Sequence, residues 1–222
     1  MAYAPLLIVH ICTAIVGLLS GTAALLFRKG WRWHRMAGNV FFLSMLIMSA
    51  SGVGIAAFIK PNMGTVLGGV VTFYLVATGW LTVLRKEGET GLTEFGLLLL
   101  ALAAGSGGLL YGWEAAHSAT GLKEGYPPGP YLVFGGLSLS AAVMDVRMLV
   151  RRGVSGAPRI RRHVWRMCVA FLIAAFSFLG KQQHFPAAIR GSQILDLPLI
   201  LILIVMIYWL IRARIATTFK KA

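Results

Sequence analysis

Five histidines carry the clearest hint of chemistry in this sequence, and they fall into two groups. His34 stands in "WRWHRMAGN", between Trp33 and Arg35, where one long apolar segment gives way to the next. His163 stands in "RIRRHVWRM", at the start of another apolar segment. Neutral imidazole binds haem iron or zinc readily. A haem in a helical bundle takes two axial ligands from facing helices. Arginines flank both histidines, among them Arg35 and Arg166, and a guanidinium fork matches a haem propionate. Gly38 lies one helical turn beyond His34 on the same face and leaves room for a flat macrocycle. The pattern predicts a b-type haem held by His34 and His163, with Arg35, Gly38 and Arg166 around it. The competing reading is an interface anchor, because Trp, His and Arg collect at membrane–water boundaries.

His10, His117 and His184 form the second group, and with Glu114 they supply the ligand types of a catalytic zinc centre or a similar transition-metal site. Glu114 and His117 are three residues apart, which places them on one helix face. Three acids lie near or within apolar segments: Glu114, Asp145 and Asp196. Ionisable groups inside a membrane are functional suspects by default. Asp145 is expected to pair with Arg147, Arg151 or a basic residue of the loop that follows, and Asp196 with Arg190 or Lys181. Gln182 and Gln183 have the hydrogen-bonding capacity to hold a quinone carbonyl or a polar headgroup.

The elements that must position these residues follow from composition. The chain has 222 residues, 58% hydrophobic and 13% charged, and a mean hydropathy of +0.77. Soluble domains sit nearer a quarter charged, so this is a polytopic membrane protein. Seven segments are long enough to span: 5–27, 36–59, 63–84, 95–116, 130–150, 164–181 and 194–212. The sixth is the shortest. The expected fold is a single all-α transmembrane domain over 1–222. The apolar run at the N-terminus has no basic region before it and reads as a retained first span.

The net charge of +14 would suggest nucleic acid in a soluble protein. Here the basic residues sit in short loops between spans, which excludes that partner and fixes the topology instead. Seventeen of them fall on one side and four on the other. The positive-inside rule puts the N-terminus outside and the C-terminus in the cytoplasm. The histidine groups then lie at opposite faces. His10 and Phe27, at the far end of its segment, are ~25 Å apart at the rise of an α-helix. The basic loop "RRGVSGAPRIRRH" is expected to lie against anionic headgroups. "EAAHSATGLKEGYPPGP", residues 114–130, is expected to form an irregular outer lid. Cys12 and Cys168 are too far apart in this topology for a disulfide. Gly17 with Gly21, Gly64 with Gly68, and Gly108 with Gly112 have the spacing that lets helices approach closely, and packing inside the bundle is expected of them.

"RKGWRWHRMAGNVFFLSMLIM", "GGVVTFYLVATGWL" and "GAPRIRRHVWRMCVAFLIAAFSFLGKQQHFP" resemble an uncharacterised family of bacterial multi-span proteins, domain of unknown function 2306. The likeness runs over most of the chain. It implies a bacterial inner-membrane helical bundle with no assigned activity. In that family the position of His184 is often apolar, which implies no general role for it. "HRMAG" is also similar to the H-K-x-x-G stretch around a haem ligand in bacterial cytochrome b-561 proteins. That likeness covers five residues, matches His34 and Gly38 only, and lacks the rest of that family's pattern.

The leading functional expectation is a b-haem electron-transfer protein that exchanges with quinone. Three alternatives stand beside it: a proton-coupled small-molecule carrier with Asp145 and the histidines along a polar path, an outer-face metal-dependent enzyme, and a structural subunit of a membrane complex. No Ser/His/Asp signature, phosphate loop or H-E-x-x-H points to a soluble type of enzyme.

Overall fold

The structure is a computed structural model and describes residues 4–180, 185–187 and 190–218, with side chains to 214. Among these residues it holds seven helices long and apolar enough to cross a membrane, and no strand. They are α1 (Ala4–Leu26), α2 (Arg32–Gly54), α3 (Met63–Leu84), α4 (Leu92–His117), α5 (Pro128–Val150), α6 (Gly156–Leu179) and α7 (Leu197–Thr218). This is the expected integral membrane bundle. Only such closed hydrogen bonding satisfies the backbone in lipid. A π turn over Ile55–Ile59, closed by Lys60 N donating to Ile55 O at 2.8 Å, extends α2.

α3 is the hub. Half of its apolar window is buried (50%), against 11% for α1 and for α7. It packs against α2, α4, α5 and α6, while α1 pairs with α2, α4 with α5, and α6 with α7. Its outer end is capped by Asn62, whose side chain accepts from Thr65 N at 2.8 Å. That bond satisfies one of the donors that a helix N-terminus leaves free.

α2 and α6 begin well before the segments that hydropathy gives. α2 starts at Arg32, so His34 lies in its first turn. α6 starts at Gly156 and has 24 residues, so it is not the shortest span. Pro158 sits in the first turn, where a missing N–H costs nothing. Arg159, Arg161, Arg162 and His163 are therefore helical. Two of these arginines face protein where headgroups were expected. Arg159 donates to Thr82 O (2.8 Å), Val83 O (3.1 Å) and Arg85 O (2.5 Å) at the end of α3, and Arg162 is buried.

The glycine pairs pack within the bundle. A Cβ on Gly17 or Gly21 would meet Met45 or Phe41 of α2. At Gly108 it would meet Gly135 Cα at 2.7 Å and Tyr131 O at 2.9 Å, both backbone atoms of α5. Of the expected lid 114–130, residues 114–117 and 128–130 are helical, and only 118–127 forms an irregular loop of turns. It is fastened by Tyr131 OH donating to Lys123 O at 2.8 Å and by Glu124, whose carboxylate accepts from Met63 N at 2.5 Å.

A direct test of the α4–α5 contact follows. Gly108→Ala should destabilise the protein by about 1–3 kcal/mol, because backbone cannot yield to the new methyl. Gly107→Ala meets nothing within 4 Å and should be neutral or slightly stabilising, since alanine favours helix. Thermal unfolding of the two variants in detergent separates them.

Candidate functional site

The most polar interior point of the bundle is built around Asp145. α6 places Arg162 and Arg166 four residues apart, hence on one face. α3 does the same with Tyr74 and Thr78. Asp145 Oδ1 accepts from Arg162 Nη1 at 2.6 Å and also from Arg166 Nη2. Its Oδ2 accepts from Tyr74 OH at 2.6 Å. Arg166 Nη1 donates to Thr78 Oγ1, and its guanidinium lies over the rings of Tyr74 and Trp165, 5.1 Å and 5.0 Å from their centroids. Asp145 is 1% exposed, Arg166 0% and Arg162 8%. Of the expected partners, the loop residue Arg162 reaches Asp145, while Arg147 and Arg151 are exposed. They project from the wrong side of α5 to reach the carboxylate.

This centre is cationic. Two guanidiniums face one carboxylate, so its formal charge is +1. The Nε atoms of Arg162 and Arg166 are buried and have no hydrogen-bond partner among the described residues. Asp145 lies five residues before the end of α5, ~7.5 Å along the helix from the end that carries the basic loops. There a cavity of about 20 Å³ is lined by Arg162, Thr78, Thr82, Met148, Arg85 and Glu94, among others. Arg85 and Glu94 form a forked pair at 3.0 and 3.3 Å, and Glu94 also accepts from Gly91 N at 2.9 Å.

The histidines of the cytoplasmic layer are held in a definite way. His34 Nδ1 lies 3.0 Å from Ala24 O, and His163 Nδ1 lies 2.9 Å from Gly79 O. A carbonyl only accepts, so each Nδ1 carries the proton and each Nε2 keeps its lone pair. Both rings are half-buried. A Cβ on Gly38 would meet nothing within 4 Å, so the space beside it is open. Arg35 is exposed, whereas Arg166 is committed to Asp145 and Thr78 rather than free to meet a propionate. Lys29 closes this layer by donating to Ala24 O (2.9 Å) and Leu25 O (2.6 Å) at the end of α1. Burial pushes its ammonium below the ordinary lysine value.

The outer residues are dispersed over several contacts. His10 Nδ1 bonds Met48 O of α2 at 2.9 Å, and its ring packs against Gly52. His117 Nδ1 donates to Trp113 O of its own helix at 2.8 Å. Glu114 pairs with Lys123, a bond that holds the Lys123 ammonium above the ordinary lysine value. His184, Lys181, Gln182 and Gln183 lie outside the described residues. Among those described, no three of His, Cys, Asp and Glu gather in metal-binding range. Both cysteines are free thiols.

The expectation that Asp145 pairs with a basic residue of the following loop is met by Arg162, whereas Arg166 was expected beside the haem and not on Asp145. The signal was present as two i, i+4 pairs, Arg162 with Arg166 and Tyr74 with Thr78. A single acid with two arginines on one helix face needs a common buried partner. Removing that acid should be costly. Asp145→Ala should destabilise by ~3–5 kcal/mol, because two buried cations lose their counter-ion. Tyr74→Phe should cost ~1.5–3 kcal/mol, the range for a hydrogen bond to a charged group. Arg147→Gln, on the exposed side of α5, should stay within about 0.5 kcal/mol of the parent. Chemical or thermal unfolding in detergent should rank the three in that order.

Comparison with family models, with curated proteins and with solved structures finds no match for this chain.

Proposed function

We propose that the protein is a proton-coupled small-molecule carrier of the bacterial inner membrane, working through the Asp145 centre. The observation that carries this reading is the buried Arg162–Asp145–Arg166 group beside a cavity at the cytoplasmic end. A charge buried in a span is costly to keep and marks ion and proton paths. In this reading Asp145 is the ionisable residue of the polar path, and two guanidiniums facing its single carboxylate leave a net positive charge that draws a solute to the cavity. Tyr74 orients the carboxylate, and Arg166 stays locked by Thr78. The resemblance to the uncharacterised bacterial family agrees with the location and adds no activity.

The test is proton movement in proteoliposomes, read with an entrapped pH-sensitive dye under an imposed pH gradient. The parent protein should dissipate the gradient well above empty vesicles. Asp145→Asn should lose at least ten-fold of that rate, and Arg147→Gln should keep it. A folded Asp145→Asn protein that moves protons at the parent rate would refute the reading.

A second reading rests on the histidine layer. Histidines that hold a metal nearly always donate the other ring N–H to a carbonyl or carboxylate, and both His34 and His163 do so. They would be the axial ligands of a b-type haem, with Gly38 providing room and Arg35 the nearest uncommitted guanidinium in sequence. Such a group supplies one-electron chemistry, with quinone as its partner. The protein purified after growth with ample haem should then be coloured, and either His34→Ala or His163→Ala should remove the Soret band. A colourless parent that stays colourless on adding haem removes this reading.

A further inference from the structure

We propose that the groove between α1, α6 and α7 binds one anionic phospholipid of the cytoplasmic leaflet, with an acyl chain along the groove and the phosphate at Arg212. The groove is bounded by α1, α6 and α7, whereas α3, α5 and α6 enclose the Asp145 centre, so the two sites are separate.

The groove holds about 300 Å³. Leu18 and Leu25 of α1, Phe171 and Phe178 of α6, and Leu201 and Ile202 of α7 form its walls. Among the described residues Thr22 is the one polar side chain lining it, and its hydroxyl is engaged by donating to Leu18 O at 2.8 Å. Small side chains open the space. α1 meets α6 at Gly21, where a Cβ would stand 3.0 Å from the Phe171 ring. Thr22 follows Gly21, and Ala175 stands one turn beyond Phe171, so neither helix fills the gap beside that contact. Leu26, Phe178 and Leu201 are exposed, so the groove opens to the bilayer. Water finds no polar partner there, and a void forfeits packing contacts. Hydrocarbon meets both conditions.

Depth selects the leaflet. From the level of Gly21 and Phe171, Leu26 lies ~7.5 Å toward the cytoplasm and Leu179 ~12 Å outward at the rise of an α-helix. The groove is therefore ~20 Å long, against ~15 Å for one leaflet of a ~30 Å hydrocarbon core. It starts at the cytoplasmic end of α1. One tail of a lipid in that leaflet lies along it, with the headgroup at the cytoplasmic face.

Charge selects the headgroup. Trp209 stands one turn beyond Val205, which lines the groove on α7. Lys29 Nζ lies 5.1 Å and Arg212 Cζ 5.2 Å from a Trp209 ring centroid. Lys29 donates to the carbonyls of Ala24, Leu25 and Phe27, so it contributes charge. Arg212 is exposed and gives Nη1 to Tyr208 OH at 2.9 Å, which leaves other donors of its fork for a phosphate. No carboxylate pairs with either cation among the described residues. By contrast, Arg159 and Arg162 of the basic loop are committed to protein.

The experiment titrates the full chain in detergent with palmitoyl-oleoyl phosphatidylglycerol or with the phosphatidylcholine of the same tails. The unfolding temperature reports binding, and native mass spectrometry counts the lipids. One phosphatidylglycerol should bind per chain, with half-saturation about ten-fold lower than for phosphatidylcholine. Arg212→Gln should weaken phosphatidylglycerol about five-fold, the equivalent of ~1 kcal/mol per basic residue at a charged surface, and leave phosphatidylcholine unchanged. Thr22→Phe fills the groove from an exposed position and should abolish both responses. Leu19→Phe, outside the groove on the same helix, should keep them. Arg212 is exposed, so its variant decides the headgroup even where Thr22→Phe fails to fold. Equal affinity for the two lipids, an unchanged response in a folded Thr22→Phe, or an unchanged preference in Arg212→Gln would overturn the proposal. So would an isoprenoid quinone that co-purifies and is not displaced by phosphatidylglycerol.

Discussion

One carboxylate ties three helices together. Asp145 belongs to α5, takes two guanidinium bonds from α6 and one hydroxyl bond from α3. Burying an ion costs several kcal/mol even after relaxation, and only close, well-satisfied partners offset it. Sliding any of these helices by one turn, ~5.4 Å, breaks the contacts and strands a charge. The centre thus selects one register out of those that apolar packing alone would tolerate. Lipid-facing surfaces cannot make that choice, because lipid tails are as apolar as the side chains they touch. Gly79 serves the same end. A Cβ there would stand 3.2 Å from Arg166 Cβ, so glycine lets α6 come close enough for the guanidinium to reach Thr78 and Asp145.

The basic residues of the cytoplasmic end have a structural use besides setting topology. A helix leaves its last carbonyls without intrahelical donors. At the end of α3 these are met by Arg159, and at the end of α1 by Lys29 and His34. Cations at a helix C-terminus also complement its dipole. The positive charge of this face thereby goes to carbonyls and to Asp145, and less of it is left to meet headgroups than a count of basic residues implies.

The cation centre and His163 share the seam between α3 and α6, whereas His34 sits between α2 and the end of α1. Successive helical residues point about 100° apart. Arg162 and Arg166 turn toward Asp145, while His163 turns to the backbone of α3 at Gly79. On α3, Thr78 meets Arg166 and the neighbouring Gly79 carbonyl meets His163. The guanidiniums of the Asp145 centre and the His163 imidazole are thus held by the same two helices. Movement of α6 against α3 would affect both.

Much of the architecture was legible in the residues. Apolar runs of about 20 residues can be satisfied only as spans, and loop arginines orient them, so helix number and topology follow from composition along the chain. The packing role of Gly108 and Gly112 was legible too, because only small residues at that spacing permit such an approach. Hydropathy is an average over one segment and takes no account of neighbours. It counted Arg159, Arg162 and His163 as loop because each is polar, and so it began α6 too late. Whether a guanidinium can enter a span depends on a carboxylate or a carbonyl waiting on another helix, and that depends on how each helix is rotated. Only the tertiary structure decided this: that Arg166 faces Asp145, that Arg147 does not, and that His34 and His163 each give Nδ1 to a carbonyl. One-dimensional pattern sets what must be buried in lipid. The pairing of buried charges is set by three helices at once.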